Sequence, residues 1–193
     1  FDVSTQLNNS YNAAALQLVY DHVLNVNPIT GEVESDILSD FHWDDEQCAV
    51  VLTLRDDVYF SNGDKMDAED IQYTFQRQSK AFMYVDKYMV MLINESVISE
   101  DGLTLTIPFS APCGTWQSYL TGNSGVMNKD WIEANGGDDM DFYDYTLVCG
   151  SGPYVVTDFV LDNYTVFERN ENWWMADSIS DEYCAYDKIT VYY

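Results

Sequence analysis

The sequence predicts an α/β fold in which a mixed β-sheet is flanked by helices. Several short runs alternate apolar and polar residues, which is typical of strands that bury one face. Other segments repeat apolar residues every three to four positions, as amphipathic helices do. With 193 residues and 47% hydrophobic side chains, the chain is long and apolar enough to bury a core, as one large domain or two small ones.

The stretch 51–78 predicts two strands and a turn, followed by a helix. Residues 51–54 and 58–60 are rich in β-branched and aromatic side chains, so they are expected to form short strands that share a buried face. Asn62 and Gly63 come next, and glycine adopts the positive φ of a tight turn at little steric cost. A turn is therefore expected between the second strand and the helix.

The helix of this stretch is expected to begin at about Ala68. Asp67 has the residue type of an N-cap, and Asp70, three residues later, can complete a capping box. Ile71 and Phe75 lie on one face, which is expected to pack on the strands. Three polar residues are expected to face water: Gln72, Gln76 and Arg77.

The same periodicities predict the remaining elements. Apolar residues recur at helical spacing over 16–23, so an amphipathic helix that carries His22 is expected there, capped by Asn9, Ser10 or Asn12. The apolar stripe at 80–93 is expected to be a helix or part of the core. The other predictions are hairpins at 95–108 and 154–167, short helices at 112–120 and 128–134, and a last strand at 188–193.

Two blocks of the sequence carry a recognisable pattern. The first, residues 51–78, runs from Leu-Arg through an acidic turn and Asn-Gly to Ala-Glu-Asp-Ile and Tyr-x-Phe. The second has Gly-Ser-Gly-Pro-Tyr at 150–154 and Glu-Arg-Asn at 168–170, followed by Trp173 and Trp174. In this order, the blocks resemble the signature of the family 5 extracellular solute-binding proteins, the oligopeptide, dipeptide and nickel receptors of ABC importers.

This resemblance implies a lobe of the type II periplasmic-binding-protein fold. Residues 1–193 would be the first lobe, with a subdomain at about 80–145 and with the second lobe absent from this sequence. The implied function is capture of oligopeptides between two lobes by a monomeric receptor, which hands them to the permease subunits of an ABC importer. The alternatives are a receptor for nickel complexes or sugars, an extracellular interaction or adhesion domain, and, ranked last, a metal-assisted hydrolase.

The resemblance also implies where this lobe would contact its ligand. The loop before the first helix and the segment near residue 84 are the expected contact regions, and a tryptophan is expected as a pocket wall. The candidate ligand-binding residues are Asn8, Asn9, Ser10, Phe82, Tyr84 and Trp116. For each of them the alternative is a structural role.

The charge of the chain excludes some partners. With 33 acidic residues against 8 lysines and arginines, the formal net charge is −25, so the protein is expected to repel nucleic acids and anionic membranes. The excess of acid predicts a solvated surface that resists aggregation. Attraction of cationic ligands is the alternative explanation.

The sequence contains no convincing catalytic or metal-binding motif. The run 122–125 is not a nucleophile elbow, and His22 and His42 are expected to have packing or surface roles. The aspartates of the loop 138–144 lack the spacing of a calcium loop, so a solvated acidic loop is expected. We therefore expect a protein without a cofactor or resident metal that is not an enzyme. Three matches to the glycosylation sequon, at Asn8, Asn94 and Asn163, are interpreted as chance.

The cellular location is predicted from what the sequence lacks and from the resemblance. No segment has the length or composition of a membrane span or a secretory leader, so the chain is either cytosolic or has lost its export signal. The resemblance favours an extracytoplasmic protein, either a cell-surface lipoprotein or a periplasmic one. Four cysteines permit two disulfides with three possible pairings, or free buried thiols: Cys48, Cys113, Cys149 and Cys184.

Overall fold

Three antiparallel sheets organise the chain in the computed structural model, which describes residues 1–2, 16–80, 85–121, 125–177 and 186–193. A small hairpin pairs β1 (Asn25–Val26) with β2 (Val33–Glu34). A four-stranded sheet has the order β3-β4-β6-β5 and consists of β3 (Leu38–Asp44), β4 (Ala49–Leu54), β5 (Val97–Ile98) and β6 (Thr104–Pro108). A three-stranded sheet consists of β7 (Tyr154–Val160), β8 (Tyr164–Arg169) and β9 (Lys188–Tyr192).

Four α-helices accompany these sheets in the described residues: α1 (Ala68–Ser79), α2 (Val85–Val90), α3 (Gln117–Leu120) and α4 (Lys129–Ala134). The α/β fold class is thereby confirmed. The named strands pair antiparallel, and the parallel pairing in the described part is an isolated bridge between Leu24 and Thr121.

The start of α1 is the one predicted from the sequence. The Asp67 carboxylate accepts hydrogen bonds from the backbone N–H groups of Glu69 (2.8 Å) and Asp70 (3.3 Å). The Asp70 carboxylate in turn accepts from the Asp67 N–H at 3.0 Å, which completes the capping box. It also accepts from the Lys129 N–H at 2.8 Å, so one buried carboxylate joins the first turns of α1 and α4.

Two apolar cores fill the fold. The larger one lies between the four-stranded sheet and α1, where Ile71 and Phe75 are fully buried with Leu52, Leu105 and Ile107. The smaller one joins the segment after residue 16 to the three-stranded sheet. It contains Val19, Tyr20, Tyr154 and Phe167.

The first predicted helix begins outside the described residues, and its described part, 16–23, is helical only at Leu16. The Leu16 carbonyl accepts hydrogen bonds from the N–H groups of Val19 and Tyr20, which close a turn at 17–19. Beyond that point the chain is irregular or extended, and His22 forms an isolated bridge with Gly125. The periodic apolar residues are nevertheless buried, because this segment lies between the two cores. From Leu18 onward its carbonyls accept hydrogen bonds from distant segments, at Gly152, Tyr154 and Val126.

The second strand predicted for the stretch 51–78 is also wrong. Residues 58–60 make an isolated bridge between Tyr59 and Lys65 instead of a strand. The Phe60 N–H donates to the Asp64 carbonyl, so the chain reverses before any ladder can form. Val58 and Phe60 are buried as expected.

Arg77, which was expected to face water, is 8% exposed. Its guanidinium donates to the Asp2 carboxylate at 3.1 Å and to the Asp138 carboxylate at 2.6 Å. It also lies over the rings of Tyr73 and Phe142. Helical periodicity assigned this side chain to the polar face, and the loop 138–142 covers that face.

The later elements agree with the prediction. The hairpins, the short helices and the last strand lie within the predicted ranges or within two residues of them, although β5 and α3 are shorter than predicted. The turn after α4 has Gly136 at φ 120° and Gly137 at φ 62°, as expected for a glycine end to a helix.

The described cysteines are free thiols: Cys48, Cys113 and Cys149. Among the described residues, no three metal-ligating side chains come together. In that same part of the chain, no helix is both long and apolar enough to cross a bilayer.

Candidate functional site

The backbones of two segments far apart in the sequence, 18–19 and 150–154, are in direct contact. The N–H groups of Gly152 and Tyr154 donate to the carbonyls of Val19 (2.8 Å) and Leu18 (2.9 Å). A Cβ atom at Gly150 would lie 2.0 Å from the Val19 carbonyl oxygen, and one at Gly152 would lie 2.7 Å from the Val19 carbonyl carbon. Glycine is therefore required at both positions for the segments to approach this closely.

A cleft of about 890 Å³ opens next to this contact. It is bounded by the segment after residue 16, by the β1–β2 hairpin, and by residues that flank β7 and β8. Its lining includes three carboxylates and three aromatic rings: Asp21, Glu34 and Asp36, with Tyr20, Tyr154 and Trp173. A volume of this size lies in the upper range of pockets for small ligands.

Asp21 connects three parts of the chain at the cleft. Its carboxylate accepts a hydrogen bond from the Trp174 indole N–H at 2.9 Å. Its backbone N–H donates to the Ser151 hydroxyl at 3.3 Å, and its carbonyl accepts from the Val126 N–H at 2.9 Å. Burial raises the pKa of this carboxyl to about 7, against the opposing effect of the two side-chain hydrogen bonds.

The other two carboxylates differ in their hydrogen bonding. Glu34 accepts from the side-chain amide of Asn27, at 3.3 and 3.1 Å to its two oxygens. Asp36 is half-buried and has no hydrogen bond to its carboxylate within the described residues. Burial raises the pKa of Asp36, and the nearby charge of Glu34 raises it further, while Arg55 acts in the opposite direction.

The aromatic walls of the cleft are rigidly held. Tyr20 and Tyr154 are each 4% exposed, and Trp173 is 7% exposed. The Tyr20 hydroxyl donates to the Phe1 carbonyl at 3.4 Å, and the Tyr154 hydroxyl donates to the Tyr186 carbonyl at 2.8 Å. Both hydroxyls are thus used within the fold, so these residues contribute ring surface to the cleft.

The structure describes one of the six candidate ligand-binding residues, Trp116, and this residue does not line the cleft. Asn8, Asn9, Ser10, Phe82 and Tyr84 lie outside the described residues. Trp116 is 9% exposed and belongs to the larger core, where its ring packs edge-on against Phe41 with 6.3 Å between centroids. All six remain predictions.

Sequence reasoning missed the cleft itself. Tyr154 and Trp173 belong to the second sequence block, so that block contained a signal for two of its walls. Nothing distinguished Asp21 and Asp36 in the sequence, because they are two among 33 acidic residues. Only the tertiary structure brings them together.

Comparison with known proteins identifies the family. The family model described as "Bacterial extracellular solute-binding proteins, family 5 Middle" matches residues 32–193. The chain is 24% identical over 170 residues to the probable peptide-binding protein YejA of Agrobacterium fabrum, a match that covers 86% of this chain and 27% of that protein. It is 29% identical over 134 residues to the nickel-binding periplasmic protein of Escherichia coli, covering 64% of this chain and 23% of that protein.

The fold is also that of a solved structure. The substrate-binding domain of an oligopeptide ABC transporter from Bacillus anthracis superposes on 99% of this chain with a TM-score of 0.81 at 16% identity, and the match covers 38% of that chain. The present chain thus spans well under half the length of each of these relatives. It belongs to family 5 of the bacterial extracellular solute-binding proteins, which are substrate-binding receptors of ABC transporters and not enzymes.

Proposed function

We propose that residues 1–193 form the first lobe of a receptor that captures oligopeptides between two lobes and delivers them to a membrane permease. The family match over residues 32–193 carries this proposal, and peptide-binding relatives such as YejA support oligopeptides as the solute. In this mechanism a second lobe closes over the solute about a hinge and supplies the remaining contacts. The receptor works as a monomer outside the cytoplasm, as a cell-surface lipoprotein or a periplasmic protein.

We also propose contacts from this lobe to the solute. Asn8, Asn9 and Ser10 supply polar groups from the first loop, and Phe82 and Tyr84 supply ring surface from the region of about 80–145. A receptor for peptides of varied sequence needs polar groups for the peptide backbone and roomy aromatic pockets for the side chains. The burial of Trp116 favours a supporting role for that residue over direct contact.

A nickel complex is the second candidate solute. The observation that favours it is the similarity to the nickel-binding periplasmic protein of E. coli. Sugars remain a third class to test.

Thermal unfolding tests the proposal. The midpoints of the complete receptor and of residues 1–193 are measured in parallel with a pool of short peptides, then with nickel complexes and with sugars. A ligand that binds only the folded state stabilises it by about 2.7 kcal/mol at a hundredfold excess over its dissociation constant. We expect peptides to raise the midpoint of the complete receptor and to leave that of residues 1–193 unchanged. A shift with nickel complexes or sugars alone would overturn the choice of solute.

A further inference from the structure

Resting on the proposed function, we propose that the cleft beside Asp36 binds the positively charged group of a solute, so that this receptor prefers peptides with a lysine or arginine side chain. The ammonium or guanidinium group lies against Asp36 and Glu34, and the aliphatic part of the side chain lies against the aromatic walls.

The first argument is the charge of the cleft. Its described lining contains three carboxylates and one histidine, but no lysine or arginine: Asp21, Glu34 and Asp36, with His22. Arg55 is the nearby cation that lowers the pKa of Asp36, but its guanidinium is bound to other groups. Its guanidinium donates two hydrogen bonds to Asp57, at 2.8 and 2.7 Å, and lies 5.3 Å from the ring centroid of Trp174. The cleft therefore keeps a negative potential that favours a cation.

The second argument is that the Asp36 carboxylate is not hydrogen-bonded within the described residues and stays open to the cleft. Asp36 is half-buried at the cleft and accepts no hydrogen bond from the described residues. Partial burial of an ionised group without a partner is unfavourable, and its effect is visible in the raised pKa of this carboxyl. A ligand ammonium or guanidinium replaces water at this carboxylate and supplies hydrogen-bond donors and the opposite charge together. In contrast, Asp21 and Glu34 already accept hydrogen bonds from Trp174 and Asn27.

The third argument is the combination of shape and ring surface. Tyr20, Tyr154 and Trp173 line the cleft beside the carboxylates. Aromatic faces attract cations and also pack against the methylene groups of lysine and arginine side chains. At about 890 Å³ the cleft has room for a whole basic residue and part of its neighbour. A metal ion alone needs no such volume, so an organic cation fits the cleft better.

Calorimetric titration of the complete receptor tests this inference at about pH 7.5, where an ordinary histidine is mostly neutral. The probes are the tripeptide alanyl-lysyl-alanine and the matched tripeptide with norleucine in place of lysine. We expect the lysine peptide to bind roughly tenfold more tightly. Asp36→Asn keeps the shape of the side chain and is expected to remove most of this preference, so that the two tripeptides bind with similar affinity. Glu34→Gln provides a second, more exposed variant should Asp36→Asn unfold the protein.

The control variant is Glu32→Gln, which removes one charge from the exposed loop of the same hairpin but lies outside the cleft lining. It is expected to keep the preference for lysine. Equal binding of the two tripeptides would overturn the inference and leave the proposed function standing. An equal loss of the lysine preference in Asp36→Asn, Glu34→Gln and Glu32→Gln would do the same. If neither tripeptide nor any other peptide binds, the proposed function and this inference both fail.

Discussion

Two glycines determine how closely the segment before β7 approaches the backbone at Val19. Gly150 and Gly152 allow their backbone to touch the backbone at Val19, and no side chain fits in the space between them. The neighbouring hydrogen bonds, from Gly152 N–H to the Val19 carbonyl and from Ser61 N–H to the Gly150 carbonyl, depend on this contact. The sequence block Gly-Ser-Gly-Pro-Tyr therefore has a steric explanation.

Alanine at Gly152 is expected to destabilise the protein by about 3 kcal/mol, because its Cβ would clash with backbone atoms that cannot move aside. Urea unfolding measures the change. The matched control is Gly114→Ala, since a Cβ at Gly114 meets no atom within 4 Å. The steric explanation would be wrong if the two variants were equally stable.

At the scale of elements, helix α1 is joined to its surroundings by charged groups at both ends. Asp70 connects its first turn to α4. Near its other end, Arg77 binds Asp2 and Asp138 and lies over Phe142. Amphipathicity explains how the helix buries Ile71 and Phe75, and these polar contacts explain how its opposite face is covered.

Replacing Arg77 with methionine is expected to lower the free energy of unfolding by about 3 kcal/mol. The Asp2 carboxylate is 10% exposed and would lose the guanidinium that neutralises it. Chemical denaturation is the measurement. Asp138→Asn is the comparison, because the Asp138 side chain is 70% exposed and its ion pair is expected to contribute less than about 1 kcal/mol. A loss from Asp138→Asn as large as that from Arg77→Met would contradict this ranking.

For the whole molecule, charge and burial act together on the dependence of stability on pH. The net charge of −25 produces repulsion that weakens as carboxylates are protonated. Burial also raises the pKa of both Asp21 and Asp70 to about 7. Between about pH 4 and pH 7 these two groups hold protons in the folded state that an unfolded chain releases. Stability is therefore expected to fall as the pH rises through this window.

The thermal midpoint is expected to be higher at about pH 5 than at about pH 7, and Asp70→Asn should flatten this dependence. For a buried carboxyl shifted from 3.8 to about 7, the linked change in unfolding free energy is at most about 4 kcal/mol. Differential scanning calorimetry across this pH range makes the comparison. Glu100→Gln, which removes one exposed charge, should leave the slope almost unchanged. A midpoint that rises with pH would refute the assigned direction of the pKa shifts.

Elements that local interactions stabilise were predictable from the sequence. The capping box at Asp67 and Asp70, the glycine end of α4 and the alternating hairpin of β7 and β8 all depend on residues within a few positions of one another. Local spacing is read directly from a sequence, so these features and the family signature were predictable. The residues 3–15 and 81–84, which include five of the six predicted ligand contacts, lie outside the described part of the chain.

Tertiary structure alone decided which polar and apolar residues share an environment. Residues 16–23 have a helical apolar period, but most of them are not helical, because their backbone binds Gly152 and Tyr154 more than 130 positions away. Arg77 is buried for a similar reason, since a distant loop covers it. The cleft likewise combines Asp36 with Trp173, which are far apart in the chain. Contacts of this kind depend on the packing of whole segments, and no local pattern specifies them.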